Sequence, residues 1–400
     1  MSDEPGARLA PYESPLLPLT PEGRGAVERA RDLARRVLAP RAAEYDESGR
    51  FPRENYRAIH EAGLSGLPVS KRYGGVGADS LTYALCLLEF AKGCSATGLT
   101  LNMHSIVCTF IEDRGTQDQC ERFLRAVTGD GKIIGSITSE PDATIRSGLT
   151  TSFRPVDGGY HVSGVKAFCS IGEYADYYLI SGMIDGQTDP RHGVAMAVIP
   201  NTADRVQVVK PWNAVGMRGT ASHTLRFDAF VPHADVIGKP GERLGVNERF
   251  SLGYAAAYTG VAEAAYEFVA EYVQSHTATG SDTPMGTDRQ VQREIAELAT
   301  VVRSARLMLY EAALLRDGSD RRQATLAVNQ AKYLGGEAAA QVTARAMKLL
   351  GGRGFLRDLP LERLHRDALA GPVQPPGSEA CLQTAGRMLC GLDPASIDYL

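Results

Sequence analysis

The sequence predicts an α+β protein in three parts: an N-terminal helical domain, a middle antiparallel β domain and a C-terminal four-helix bundle. Apolar positions recur at helical spacing up to about Gly131. The period drops to two from Ile133 to about Gly245, and long helical patterns return from Asn247 onward. The expected divisions are 1–20 for a flexible lead, 21–131 for the first helical domain, 132–245 for the β domain and 246–400 for the bundle.

The lead is acidic and Pro-rich and carries no apolar period. Helical spacing then runs through GAVERARDLARRVLAPRAAEY, ENYRAIHEAGLSGL, LTYALCLLEFAKGC and ATGLTLNMHSIVCTFIE. Seven short segments follow: KIIGSITSE, LTTSFRPV, GYHVSGVKAFCS, DYYLISGMI, GVAMAVIP, RVQVVKP and HTLRFDAFVP. They alternate or run apolar between Gly, Asp and Pro turns, as short strands do. Four helical patterns close the chain, with an exposed loop expected from Ser275 to Asp288 between the first two. This last block is rich in Ala and Gly, which lets helices approach closely, and its faces are too apolar for a lone bundle. A homo-oligomer, dimer or tetramer, is therefore expected.

Four hundred residues at 44% hydrophobic can build a substantial core. The net charge of −4 and the scatter of the 43 basic residues argue against nucleic acid and anionic membranes as partners. The N-terminus has no apolar core of signal-peptide length and no later run approaches membrane-spanning length, so a cytoplasmic protein is expected. Seven widely spaced cysteines contain no CxxC pair, which reads as buried small side chains rather than a metal or redox centre.

Three local signatures, in this order, resemble the acyl-CoA dehydrogenase superfamily over nearly the whole chain. ITSEP at Ile137 to Pro141 looks like the segment running under the flavin ring. GVKAFCSIGEYADYYLI is similar to the pattern G-x-K-x-W-I-T-N-x-x-x-A-D, with Phe168, Cys169 and Ser170 at the Trp, Ile and Thr positions. VGMRGTASHTLRFDAFVP looks like the strand G-x-R-x-S-x-x-x-x-x-F-x-x-x-x-V-P, and LGGRGF and LERLHRD resemble the terminal signature. The resemblance implies FAD, or FMN, held between the β domain and the C-terminal helices. Thr138, Ser139 and Ser170 would meet the ring's polar atoms, and Phe168 with Cys169 would lie against it. Gly351 and Gly352, next to Lys348, would reach the pyrophosphate from a neighbouring subunit. Glycine suits that task because backbone N–H groups can come close to a phosphate where no Cβ intervenes.

The same resemblance exposes departures. Family chemistry removes a proton α to a thioester carbonyl while hydride passes to the flavin, so it needs a carboxylate base. Counting from Arg366, Asp367 and Ala368, the usual glutamate position falls on Pro375. A minority of the family carries its base in an E-R pair, which Glu248-Arg249 resembles. Counting back from TGVAEAA, however, that position falls on Phe250, and two helical residues rotate a side chain by roughly 200°. Glu248 is the candidate base if the helix starts irregularly. Glu379 matches a second, non-catalytic glutamate. His104, on an otherwise apolar helix, is a candidate substrate contact able to act near neutral pH, or else a hydrogen-bonded structural histidine. The usual A-G-S-D reads Ala143-Thr144-Ile145-Arg146, placing Arg146 beside the thioester path. The inter-subunit R-x-x-F-G reads His276 to Gly280, and the glutamine before the glycine pair is Lys348, a point charge without a planar fork.

Three functions follow from this reading. The first is α,β-dehydrogenation of an acyl thioester, carried by CoA or an acyl carrier protein. The second is a flavin-dependent monooxygenase of the same fold, which uses reduced flavin and O₂ and needs no α-proton base. The third is a non-redox protein that binds or remodels an acyl ligand.

Overall fold

In the computed structural model, residues 17–141, 149–202, 204–242, 248–277 and 280–394 are described. The first layer holds α1 (Pro21–Leu33), α2 (Ala39–Ser48), α3 (Arg53–Glu61), α4 (Ser80–Gly93), α5 (Ser95–Arg114) and α6 (Gln117–Asp130). Its ends are set by local chemistry. Thr20 caps α1 by accepting from the Gly23 N–H, with Pro21 at the first position. Thr116 and Gln119 form a reciprocal capping box on α6, and Gly131 stops that helix in the left-handed conformation. Between α1 and α2 the chain stays helical but widens to a π-turn over Ala34–Leu38. Pro40 lies just beyond, where its missing N–H removes a ladder donor.

The strands are β1 (Ile134–Ile137), β2 (Ser152–Val156), β3 (Gly159–Cys169), β4 (Tyr177–Ile184), β5 (Val194–Pro200), β6 (Val206–Lys210) and β7 (His223–Pro232). A single helical turn, α7 (Pro190–Gly193), joins β4 to β5. Pairing runs β1-β4-β2-β3-β7-β6, with β5 also on β4. Most ladders are antiparallel as expected, and β4 is the exception. One of its edges pairs in full with β5. The other is divided, residues 177–180 pairing in parallel with β1 and residues 183–184 in parallel with β2. The unpaired gap between β1 and β2 lets the chain leave the sheet after Ile137 and return at Ser152. A buried ion pair holds that departure: Lys166 Nζ lies 2.7 Å from Glu140 Oε1, with both side chains out of solvent.

The rear layer holds α8 (Glu248–Ser275), α9 (Arg289–Asp317), α10 (Arg321–Leu350), α11 (Leu361–Ala368), the turn α12 (Ala370–Val373) and α13 (Ser378–Leu389). Between α8 and α9, Ser281 to Thr283 lie exposed in the expected loop. Small residues set the spacing, since a Cβ on Gly336 of α10 would stand 2.9 Å from the backbone of Gly371. The first and rear layers are bolted together by buried charge. Arg306 of α9 places Nη1 2.6 Å from both oxygens of Glu263 on α8, and Lys92 of α4 reaches the same carboxylate at 2.9 Å. Six of the cysteines are buried, and Cys390 is exposed. Among the described residues, no helix is long and apolar enough to cross a membrane.

Candidate active site

Two segments meet at the edge of the sheet that faces the rear layer. One is the end of β3, Ala167 to Ile171, which lies beside the exit of β1: the Ala167 N–H donates to the Ser139 carbonyl at 3.0 Å. The other is Trp212 to Ser222, ahead of β7, tied in by the Ile171 N–H donating to the Thr220 carbonyl at 2.9 Å. Four non-glycine residues here have left-handed backbones: Phe168 at φ 53°, Ile171 at 75°, Met217 at 50° and Ala221 at 46°. Such conformations cost about 1–3 kcal/mol each and persist where surrounding structure imposes them, typically at ligand sites. Phe168 uses its conformation to turn outward and is 62% exposed, edge-on to Trp212 at 6.0 Å.

Hydroxyls line the same rim. Thr220 Oγ1 donates to the Met217 carbonyl at 2.9 Å and lies 2.7 Å from Ser222 Oγ, which lies 2.8 Å from Ser170 Oγ. With the Thr220 proton committed to a carbonyl, Ser222 donates to Thr220 and Ser170 donates to Ser222. Ser170 is left with free lone pairs, an acceptor for a ligand N–H. His223 supports the loop: its Nδ1 accepts from the Trp212 N–H at 2.7 Å and its Nε2 lies 2.8 Å from Glu173.

The rear layer completes the site through α11 and the turn after it. Asp367, fully buried, accepts from the Met217 N–H at 2.6 Å. Burial pushes its carboxyl up to about 6, against the pull of that N–H. Beyond α12, the Tyr258 hydroxyl of α8 donates to Gln374 Oε1. Lys332 of α10, also buried, donates to the Gly371 carbonyl at 2.9 Å and sits 5.5 Å from the Tyr258 ring centre. Burial lowers its amine to about 8.

The comparisons with known proteins decide the family. The N-terminal, middle and C-terminal domains of acyl-CoA dehydrogenase match residues 20–130, 136–230 and 246–378. The short-chain specific acyl-CoA dehydrogenase of Clostridium acetobutylicum is 30% identical over 88% of this chain and 93% of its own length. The chain belongs to the acyl-CoA dehydrogenase family. Among solved structures, the butyryl-CoA dehydrogenase of Megasphaera elsdenii superposes with a TM-score of 0.86 at 25% identity, covering 93% of this chain and 99% of that one. The prolyl acyl carrier protein oxidase AnaB does so at 0.82 and 25% identity, covering 93% and 99%. The protein is accordingly a flavoenzyme oxidoreductase. The rim fits a flavin on its own chemistry. It offers an outward aromatic face at Phe168 and an acceptor hydroxyl at Ser170, carried on a backbone held in left-handed conformations.

Of the site residues expected for an acyl-CoA dehydrogenase, Thr138, Ser139, Phe168, Cys169 and Ser170 come together at this rim. Ser139 faces solvent, while the Thr138 carbonyl points inward, 3.5 Å from Lys166 Nζ. Cys169 borders the site with its backbone: its thiol is wholly inside the core and burial pushes it up to about 12. Gly351, Gly352 and Lys348 lie at the far end of α10, nineteen residues or about 28 Å from Lys332 to Gly351. They are exposed, with open space above both glycines, and do not join the rim of the same subunit. At the position of the missing arginine, His276 stacks on Tyr272 with ring centres 3.7 Å apart.

His104 is held inside the fold. It is buried, its Nδ1 accepts from the Ile134 N–H at 3.0 Å, and burial lowers it to about 4, so it is neutral at physiological pH. Glu248 is engaged by α10. Its carboxylate accepts from Thr325 Oγ1 at 2.6 Å and lies 3.4 Å from Arg321. Thr325 is seven residues, about 10 Å along α10, from Lys332, the residue that touches the loop after α11. Arg146 lies outside the described residues. The sequence reading missed Met217, Thr220, Ala221, Ser222, Asp367, Tyr258 and Gln374. The run Gly219 to Thr224, dense in small and hydroxyl residues, was the one available signal for the rim.

Proposed function

We propose that this protein is an FAD-dependent dehydrogenase acting on an acyl thioester, borne by CoA or by an acyl carrier protein, and that it works as a homo-oligomer. The carrying observation is the strained, hydroxyl-lined rim of Phe168, Ser170, Met217 and Ala221 facing the loop after α11. Bound there, the flavin supplies the two-electron acceptor for the substrate. The protein's own part is to hold the ring by the Ser170 hydroxyl and the Phe168 face, and to brace the rim from behind through Asp367. Names of relatives support both carriers: a short-chain acyl-CoA dehydrogenase in sequence and a carrier-protein oxidase in structure. Support for self-association comes from apolar side chains left in solvent on the rear layer, among them Phe355 at 77%, Val373 at 74% and Leu389 at 68% exposed. The exposed Gly351-Gly352 turn would then reach a second subunit's flavin.

The decisive experiment is a visible spectrum of the purified protein, with the released cofactor identified by mass, followed by anaerobic mixing with butyryl-CoA. Bleaching of the flavin band supports dehydrogenation. A colourless protein that takes up no flavin overturns the proposal.

A second reading, a flavin-dependent monooxygenase, is favoured by one observation: Pro375 and Phe250 occupy both positions from which the family draws its base. Glu248 is the carboxylate the resemblance offers instead, and its engagement by Thr325 and Arg321 speaks against it. Oxygenation needs no α-proton acceptor. Turnover only with reduced flavin and O₂, and no anaerobic bleaching, selects this second reading.

A further inference from the structure

One imidazole cross-links the segments that form the rim. His223 opens β7, and its own N–H donates to the Ala221 carbonyl at 2.8 Å. Its Nδ1 accepts from the Trp212 N–H at 2.7 Å, which ties it to the loop ahead of β7. Its Nε2 lies 2.8 Å from Glu173, in the turn Gly172–Tyr174 that follows β3. The ring is seated on that turn, since a Cβ on Gly172, whose φ is +50°, would fall 2.5 Å from His223 Cδ2. A backbone N–H can only donate, so Nδ1 carries no proton while this bond is made. The ring's one proton then sits on Nε2, facing the Glu173 carboxylate.

What the ring holds is the rim itself. Trp212, anchored through its backbone by His223, donates from Nε1 to the Met217 carbonyl at 3.0 Å and stands edge-on to Phe168 at 6.0 Å. Of the four left-handed residues, Phe168 and Met217 thus meet Trp212, Ala221 accepts from His223, and Ile171 precedes the turn on which the ring sits. Protonation reverses the contact with Trp212. A hydrogen on Nδ1 would point at the Trp212 N–H across the same 2.7 Å, setting two donors face to face. Glu173 pulls the other way, because a carboxylate favours the imidazolium, but its side chain is 47% exposed and water weakens that pull. Cys169, the register partner of His223 on β3, keeps its thiol in the core, and Lys210 of β6 stands across from the next residue, Thr224. Beside Tyr174 of the same turn, Arg50 is already paired with Glu44 and Glu54.

We propose that His223 is a positioning residue for the flavin: the neutral ring latches the rim in its binding form, and protonation releases the rim and the flavin with it. This rests on the flavin reading of the rim. The test reconstitutes the flavin-stripped protein with FAD at about pH 5.5 and about pH 8, the interval over which imidazoles change charge, and reads flavin fluorescence. The emission of Trp212, the chain's one tryptophan, is followed in the flavin-free protein alongside. Wild type should bind FAD about tenfold more weakly at the lower pH, with a change in Trp212 emission over the same interval. His223→Asn offers Oδ1 to the Trp212 N–H and does not titrate, so at both pH values it should bind as the wild type does at the higher one. His223→Leu should bind about tenfold more weakly at both. Glu173→Gln keeps an acceptor for Nε2 and removes the anion, so the loss of affinity should move to lower pH. If His223→Leu fails to fold, His223→Asn and Glu173→Gln decide. A wild-type affinity flat with pH, or a pH difference that persists in His223→Asn and so belongs to Asp367 or another group, overturns the proposal. If no form takes up FAD, the flavin reading falls and the positioning role with it. Trp212 emission that still switches with pH in wild type and not in His223→Asn would then mark a failure of that reading and not of the latch.

Discussion

The backbone N–H of Met217 donates to Asp367 across 2.6 Å, joining the left-handed loop ahead of β7 to the last turn of α11. This one bond crosses from the β layer to the rear layer at the rim. Its neighbours leave no slack: a Cβ on Gly216 would fall 2.0 Å from the Arg366 carbonyl, so the two backbones touch. Arg366 itself is clamped to Asp46 at 2.6 Å and to Glu362 at 2.7 Å. The rim is therefore positioned by the rear layer, and the strain at Met217 is borne by that contact.

Asp367 gives the first prediction. Its folded-state value, about 6, lies above the ordinary carboxyl value near 4, so the native state holds the proton more tightly than the unfolded chain. Stability from this group is complete at low pH and is lost as pH rises through about 6. Asp367→Asn keeps an oxygen for Met217 and removes the ionisation. Urea midpoints at pH 4 and pH 7 should then differ by less than in the wild type, the gap shrinking by on the order of 2 kcal/mol. An unchanged gap would show that Asp367 does not titrate in the fold.

The Glu140–Lys166 pair runs with the opposite sign. Burial pushes Glu140 up, but the Lys166 charge and bonds from Thr150 and Thr151 outweigh it and hold the carboxyl at about 2. Its stabilisation is present above the unfolded value near 4 and disappears as pH falls through about 2. Lys166→Met strands a buried carboxylate and should cost about 3–5 kcal/mol at neutral pH. It should also loosen flavin, because Ala167 and Ser139 are bonded beside it. The checks are thermal melts and the flavin retained after gel filtration.

Helix ends, strand periods and the three-part order were legible because each is local: a threonine before a proline at residue 20, a glycine at 131, alternation through β3 and β7. The exit after β1 was legible as a motif, though not the divided edge of β4, which depends on partners 43 and 31 residues apart. The rim was half legible. Phe168 and Ser170 stood in a recognisable pattern, whereas Met217 and Ala221 carry no compositional mark of a left-handed backbone, since that conformation is imposed from outside by Asp367 and Thr220. The Tyr258–Gln374 bond joins residues 116 apart and leaves no trace in any window. His104 left two readings open because an apolar helix face signals burial equally well for a cavity and for a core.

Glu248→Gln tests Glu248 as the candidate base. An amide still accepts from Thr325 and loses only the partly exposed contact with Arg321, so stability should change by less than about 1 kcal/mol. Single-turnover reduction of the flavin by butyryl-CoA should stay within about twofold of wild type. A general base contributes about 10²- to 10⁴-fold, so a loss of that size would restore Glu248 as the α-proton acceptor and require it to leave Thr325 during turnover.

Phe168 offers the sharpest separation of stability from function. Its side chain buries little, and its backbone sits at φ 53°, a region that costs a non-glycine residue about 1–2 kcal/mol and glycine almost nothing. Phe168→Gly should therefore leave the flavin-free protein as stable as wild type or more so, by up to about 1 kcal/mol in denaturant unfolding. The same change removes the aromatic face that the rim presents. Flavin affinity, measured by fluorescence quenching during reconstitution, should drop about tenfold or more. A variant that loses both stability and flavin would mean that Phe168 is held outward by packing against Trp212 and not by the demands of the ligand. A variant that loses neither would move the flavin away from β3.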